Sequence, residues 1–351
     1  MKELKVKKKL LHNRVDKRVM KERLMQEPFR RRTVSFYRYV KISDPQEFRD
    51  ALFMEWDAYS CFGRIYIARE GINAQMSVPE HHWDDFLQSL EDRSELKGMP
   101  LKIAIEDDGK SFYILKMKVR HKILADGMEE GSFDVTNVGK HLTAMEFNEA
   151  MEREETIVVD MRNTYESEIG RFDGAICPDV DTFREEVEMV VDLLQDKKDK
   201  KVLLYCTGGV RCEKASAYLK HHGFTDVNQL HGGVIEYARQ VKLQSLPSRF
   251  KGKNFVFDER LGERITDDVL GRCHTCGSPA DTHANCANQA CHVLFIQCDT
   301  CREKTQGTCS DECFEIVQLP ESIRLEKVKA LARERKGQKY SKRPMVSSCS
   351  S

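Results

Sequence analysis

The chain has 351 residues, with 57 Lys and Arg balanced by 57 Asp and Glu to a formal net charge of zero. That length exceeds one core of ordinary size, so two or three domains are expected. Apolar runs such as Ile157–Asp160 and Val202–Tyr205 are strand-length, far short of the roughly 18 residues of a membrane span, and the basic N-terminus lacks the apolar stretch of a secretory signal. The expectation is a cytoplasmic protein with no membrane partner and with reduced thiols.

Residues 1–32 form a basic segment, with thirteen Lys and Arg against four acids. From Thr33, TVSFYRYVKI alternates as a strand does, and Pro45 to Cys61 has helical spacing through Phe48, Leu52 and Trp56. GRIYIA and INAQMSV read as two strands joined at Arg69-Glu70-Gly71. His82 to Leu90 is helical through Trp83, Phe86 and Leu90, LKIAIE from Leu101 is a strand, and FYILKMKV from Phe112 offers one more. The order βαββαβ predicts a ferredoxin-like (acylphosphatase-like) α+β domain over residues 33–130, an arrangement that by itself fixes no activity.

A second domain is expected over residues 135–245. Thr143 to Met151 reads as a helix, Thr156 to Asp160 as a buried strand, Phe183 to Leu194 as a helix and Lys201 to Tyr205 as a second buried strand. The helix Cys212 to His222 follows, ended by Gly223, and Val227 to Leu230 starts the next strand. This alternation predicts a parallel α/β sheet. Residues 271–320 form a cysteine-rich segment and 321–351 a basic tail, in which residues 322–343 carry nine Lys and Arg against two acids. The predicted class is multidomain α/β: ferredoxin-like α+β, then parallel α/β, then a cysteine-rich, zinc-binding segment.

Chemistry concentrates at Cys206-Thr207-Gly208-Gly209-Val210-Arg211-Cys212, between a buried strand and a helix. The glycines let the loop curl, so that the backbone of Thr207, Gly208, Gly209 and Val210 forms an anion-binding nest around the Cys206 sulfur. Arg211 adds a positive charge, and both effects lower the thiol pKa. The competing reading is a buried cysteine before an ordinary glycine turn, against which the strand, loop and helix frame counts.

Eight of the thirteen cysteines lie at Cys273, Cys276, Cys286, Cys291, Cys298, Cys301, Cys309 and Cys313. Such spacing supplies two closed tetrahedral sites for structural zinc, and a segment this polar needs metal to assemble. His274, His283 or His292 could replace a thiolate, and iron–sulfur or redox-disulfide chemistry fits the same spacing.

Residues 135–245 resemble the rhodanese family. The resemblance rests on Val159-Asp160-Met161-Arg162, on Glu166 and Glu168 followed by Gly170-Arg171-Phe172-Asp173-Gly174-Ala175, and on Leu230-His231-Gly232-Gly233-Val234. Arg171 stands where that family usually has histidine, so it receives no catalytic role. The resemblance implies a persulfide on Cys206, a bracing Asp160 followed by Arg162, and Cys212 either as a resolving thiol or as a passive residue of the first helical turn. Related phosphatases space cysteine and arginine C-x5-R, whereas Cys206 and Arg211 are C-x4-R, a smaller loop that suits sulfur.

From about Thr33 to Cys313 the chain resembles the bacterial tRNA uridine hydroxylase family, through Arg69-Glu70-Gly71-Ile72-Asn73, Asp160-Met161-Arg162-Asn163, the stretch Cys206 to Ala215 and the cysteine-rich end. This resemblance implies a tRNA-modifying oxidoreductase of the monooxygenase type. Its reaction is the formation of 5-hydroxyuridine at the wobble position, with tRNA as partner, molecular oxygen as cosubstrate and a sulfur or electron donor besides. No histidine–carboxylate triad, flavin fingerprint or haem signature identifies an oxygen-activating cofactor. The alternatives are a sulfurtransferase drawing sulfur from thiosulfate or a carrier, and a non-catalytic RNA-binding scaffold. The basic ends suit phosphates. Phe36, Tyr37 and Tyr39 are candidate stacking surfaces, some of which an alternating strand must bury.

Overall fold

The computed structural model describes residues 17–129, 131–180, 182–291, 293–324 and 326–327. Half of the basic N-terminal segment and most of the basic tail lie outside these residues. The chain divides into one unit running to Glu129, which also takes in Asp258–Arg260, and a second unit formed by the rest.

The first unit opens with α1 (Lys17–Met25) and continues β1 (Arg31–Tyr39), α2 (Pro45–Ala58), β2 (Phe62–Ala68), β3 (Gly71–Pro79), α3 (Trp83–Glu91), β4 (Lys102–Ile103) and β5 (Leu115–Val119). Its strands lie in the order β4-β1-β3-β2-β5. The first four are the ferredoxin-like set, and the extra strand from Phe112 is β5, parallel to β2 with Leu115 opposite Gly63. Helix α2 starts where the Asp44 carboxylate accepts from the N–H groups of Gln46 and Glu47, with Pro45 in the first turn, where no N–H is missed. Period-two alternation sends Val34, Phe36, Ile65, Ile67, Ile72 and Ala74 to one face, where they pack with Leu52 and Trp56 of α2 and Phe86 and Leu90 of α3. The Trp56 indole N–H donates to Ser89 Oγ at 2.9 Å, so its polar atom is satisfied inside the core. The Arg69-to-Asn73 motif is a fastener: Glu70 Oε1 accepts from the Ile123 N–H at 2.8 Å and Asn73 Nδ2 donates to the Ile123 carbonyl at 3.3 Å.

The second unit runs β6 (Lys140–Leu142), α4 (Ala144–Met151), β7 (Ile157–Asp160), α5 (Thr164–Ser167), β8 (Gly170–Phe172), α6 (Phe183–Leu193), β9 (Lys201–Tyr205), α7 (Val210–His221), β10 (Asp226–Leu230) and α8 (Gly233–Gln244). Strands β6, β10, β9 and β7 form an all-parallel sheet in that order. Phe147 of α4 and Val234 and Tyr237 of α8 pack with Leu203, Tyr205 and Leu230 of the sheet. The edge strand β6, not anticipated from the sequence, is only three residues long and lies mostly exposed.

Beyond α8, β11 (Phe250–Asn254) pairs antiparallel with β8 and with β12 (Glu263–Arg264). The cysteine-rich segment adds the hairpin β13 (His283–Asn285) and β14 (Leu294–Ile296), then α9 (Asp299–Thr305) and α10 (Asp311–Gln318). Ile169 and Phe255 share an apolar cluster with Cys273, Ala280 and Ile296, so this segment packs on the parallel domain. Among the described residues no helix is long and apolar enough to cross a membrane.

Candidate active site and metal centres

Cys206 sits immediately after β9 and is only 1% exposed. Gly209 takes φ of 99°, a left-handed conformation open to glycine at little cost, and its N–H points at the Cys206 sulfur at 3.1 Å. Burial alone would push the Cys206 thiol up. The Cys212 thiol, the Arg211 charge and the backbone N–H groups of Cys212 and Arg211 outweigh it and bring the thiol down to about 5. Cys212 is driven the opposite way, well above the usual thiol range, first by burial and then by its bond to Cys206. Behind the loop, the N–H groups of Val234 and Ile235 donate to the carbonyls of Cys206 and Thr207 at 3.0 and 3.2 Å. A side chain on Gly233 would stand 2.5 Å from the Cys206 carbonyl oxygen, which is why the Leu230-to-Val234 turn carries glycine there.

Of the residues expected to line the nest, Gly209 donates to the sulfur, while Thr207 turns its hydroxyl to Glu166 Oε2 at 3.0 Å. Gly208 faces open space, and Val210 begins α7. Arg211 is not a free loop cation. Its guanidinium makes a two-armed bond to Glu166 and stacks over Phe257 at 5.7 Å. Asp160 and Arg162 are fully buried: Arg162 donates to both Asp160 oxygens, at 2.7 and 2.6 Å, and to the Gly170 carbonyl at 2.7 Å. The Tyr205 hydroxyl donates to Asp160 at 2.6 Å, one residue before Cys206. This network ties β7, β8 and β9 together under the loop.

One residue that sequence reasoning passed over is Glu186 of α6. It is wholly buried, and neither carboxylate oxygen has a hydrogen-bond partner among the described residues. Burial holds its carboxyl well above the usual range, Arg211 pulls it down, and Asp160, Glu166 and Cys206 raise it further. Its place on the Phe183, Val187 and Val190 stripe, all three buried, was the available signal. Cys177, by contrast, is pushed up to about 11, chiefly by burial.

The eight C-terminal thiols gather into two sets, Cys273, Cys276, Cys298 and Cys301, and Cys286, Cys291, Cys309 and Cys313, each with its sulfurs within 4.8 Å of one another. The sets interleave along the chain. Sulfur separations of 3.7 Å for Cys276 and Cys298, and 3.5 Å for Cys291 and Cys309, lie just under the roughly 3.8 Å that tetrahedral metal–thiolate bonds of about 2.3 Å require. Both clusters fit a metal ion. The histidines weighed as substitutes stand aside: His274 Nε2 faces Glu168 at 3.5 Å, His283 packs edge-on against Phe255, and His292 is outside the described residues.

Three family models match the chain: the UPF0176 acylphosphatase like domain over residues 31–123, the Rhodanese-like domain over 143–240 and the Rhodanase C-terminal domain over 251–314. The chain is 54% identical over 342 residues to the tRNA uridine(34) hydroxylase of Leptospira interrogans, covering 97% of this chain and 93% of that protein. It is 51% identical over 315 residues to the tRNA uridine(34) hydroxylase of an Enterobacter species, covering 89% of this chain and 90% of that one. A third relative of the same name, from Pectobacterium atrosepticum, is 53% identical over 312 residues, 89% of this chain and 88% of its own. With 51 to 54% identity over 89 to 97% of its length to these relatives, the chain belongs to the tRNA uridine(34) hydroxylase family.

Proposed function

We propose that this protein hydroxylates C5 of the wobble uridine of tRNA, using molecular oxygen, with Cys206 as its reactive group. The observation that carries the chemical part is the Cys206 loop, where the Gly209 N–H meets the sulfur at 3.1 Å and the Cys212 thiol and the Arg211 charge outweigh burial to bring the thiol down to about 5. A thiolate, free or extended as a persulfide, adds to the uracil ring and raises electron density at C5; the sulfur leaves again when the ring is restored. One oxygen atom enters C5 and the other departs as water, so two electrons and two protons come from a donor partner. Arg211 and Glu166 fix the loop, Asp160 and Arg162 fix the strand end beneath it, and Cys212 donates its own S–H to the Cys206 sulfur. The two four-cysteine clusters hold zinc in a structural role, since four thiolates leave no open position for a substrate.

Nucleoside mass spectrometry of tRNA from cells with and without the gene tests the reaction, with loss of 5-hydroxyuridine the expected result. Cys206→Ala is expected to abolish the modification while tRNA binding persists. Full modification by that variant would overturn the role of Cys206. The C-x4-R loop length favours one competing reading, sulfur transfer, and thiocyanate formation from thiosulfate and cyanide at a rate matching tRNA turnover would support it instead.

A further inference from the structure

The sheet of the first unit has two unlike faces. Helices α2 and α3 cover the face bearing Phe36 and Ile65. On the opposite face the strand registers align a row across the sheet: Lys118 opposite Tyr66, Tyr66 opposite Asn73, and Asn73 opposite Tyr37. The neighbouring row begins Lys116 opposite Arg64. Tyr37 and Tyr66 are partly exposed, whereas Arg64, Lys116, Lys118 and Arg120 are exposed at one edge. The Arg120 guanidinium lies 5.7 Å from the Tyr66 ring centre, and Lys102 Nζ lies 4.4 Å from that of Tyr37. The basic groups crowd one another. Lys116 has its pKa lowered, first by partial burial and then by Lys118, Arg64 and Arg120, with no acid offsetting them.

Rings in one row, bordered by clustered cations, match one ligand chemistry. Unpaired bases offer flat faces for the rings, and their phosphates meet the cations, while the Asn73 amide between the rings is engaged with the Ile123 carbonyl. A duplex hides its base faces, and an acidic peptide would use the cations but not the rings. Resting on the reading of tRNA as substrate, we propose that this open sheet face is the platform for the single-stranded part of the RNA, with unpaired bases stacked on Tyr66 and Tyr37 and the backbone led along Arg64, Lys116, Lys118 and Arg120.

The test uses the full chain carrying Cys206→Ala, so that binding is read without turnover, titrated with a labelled stem-loop RNA and with a fully paired RNA of equal length. Tyr66→Ala is expected to weaken stem-loop binding by about tenfold with little effect on the duplex, and Tyr66→Phe to restore it. Lys116→Ala combined with Lys118→Ala should lower the steepness of the salt dependence by about two ions. All these side chains leave the core face untouched, and circular dichroism melting verifies that each variant folds. Unchanged stem-loop affinity in Tyr66→Ala, equal losses for stem-loop and duplex, or equally tight binding of polyglutamate would overturn the platform. Failure of the hydroxylase reading is distinguishable: stem-loop binding that depends on Tyr66, in a protein whose loss leaves 5-hydroxyuridine in tRNA, would remove the activity and keep the platform.

Discussion

Arg211 grips Glu166 with both arms, Nη1 to Oε1 at 2.6 Å and Nη2 to Oε2 at 2.8 Å, and the side chains are 8% and 0% exposed. The first residue belongs to α7 and the second to α5, so the bond joins two segments distant in sequence directly beside the reactive sulfur. Removing one partner of such a buried pair strands the other charge, at a cost of about 3–5 kcal/mol. Glu166→Gln is therefore expected to lower the unfolding free energy by that amount, read as a lower urea midpoint with an unchanged slope. A smaller loss than Lys253→Ala, which removes a partly exposed pair with Asp281, would contradict the assignment.

The Cys206 thiol falls from 9.0 to about 5, so alkylation by iodoacetamide should reach half its plateau rate near pH 5, well below an ordinary thiol. Arg211→Gln should move that midpoint upward. Because the folded pKa lies below the unfolded one, the thiolate stabilises the fold fully above about pH 9 and loses that contribution as pH falls toward 5. Unfolding at several pH values should give a wild-type curve steeper than that of Cys206→Ser by up to roughly 1.4 kcal/mol per pH unit in that window.

Glu186 carries the opposite sign. Its carboxyl is held above its unfolded pKa, so its contribution is fully present below that pKa and is lost as pH rises through the folded one. Glu186→Gln keeps the shape and removes the ionisation. The variant should match the wild type in acid and exceed it at pH 8 by about 1–3 kcal/mol, read by urea unfolding. Equal stability at both pH values would show that the carboxyl finds a partner. An accompanying fall in the Cys206 alkylation midpoint would locate its field at the sulfur.

Chelation of the proposed metal should be more damaging than the loss of a peripheral clip, because Cys273 and Cys301 lie in the apolar cluster that holds Ile169 and Phe255. Native mass spectrometry should find two metal ions per chain. Cys276→Ser or Cys291→Ser should reduce that number and expose the linker around Phe255 to protease. A full metal complement in either variant would exclude that cysteine as a ligand.

Much of the fold was legible because two periodicities are strong in this chain. The alternation of TVSFYRYVKI announced a strand and required that its aromatic residues divide, but the side they took depended on where α2 and α3 landed. Phe36 went inward and Tyr37 outward. The loop around Cys206 was readable from its glycines, since they serve purely local geometry. The partner of Arg211 was harder to see, because Glu166 is brought to it only by tertiary folding. Glu186 stayed hidden for a related reason: an acid in FREEVEMVVDL resembles the solvated half of an amphipathic helix. Eight similar cysteines predicted two clusters, yet their short spacings invite neighbouring pairs to combine, and the hairpin β13–β14 decided otherwise.

That alternation of the two cysteine sets along the chain couples the assembly of one site to the other. The stretch enclosed by Cys276 and Cys298 contains Cys286 and Cys291, half of the other cluster, so neither metal can be captured by a local knuckle. Closing the first site already draws together the ends of the second. Metal uptake should accordingly be cooperative, passing from empty to doubly loaded with little singly loaded protein between. The same coupling makes the segment behave as a single unit under zinc limitation, at a place where His274 meets Glu168 of the parallel domain, two residues from the carboxylate that anchors Arg211.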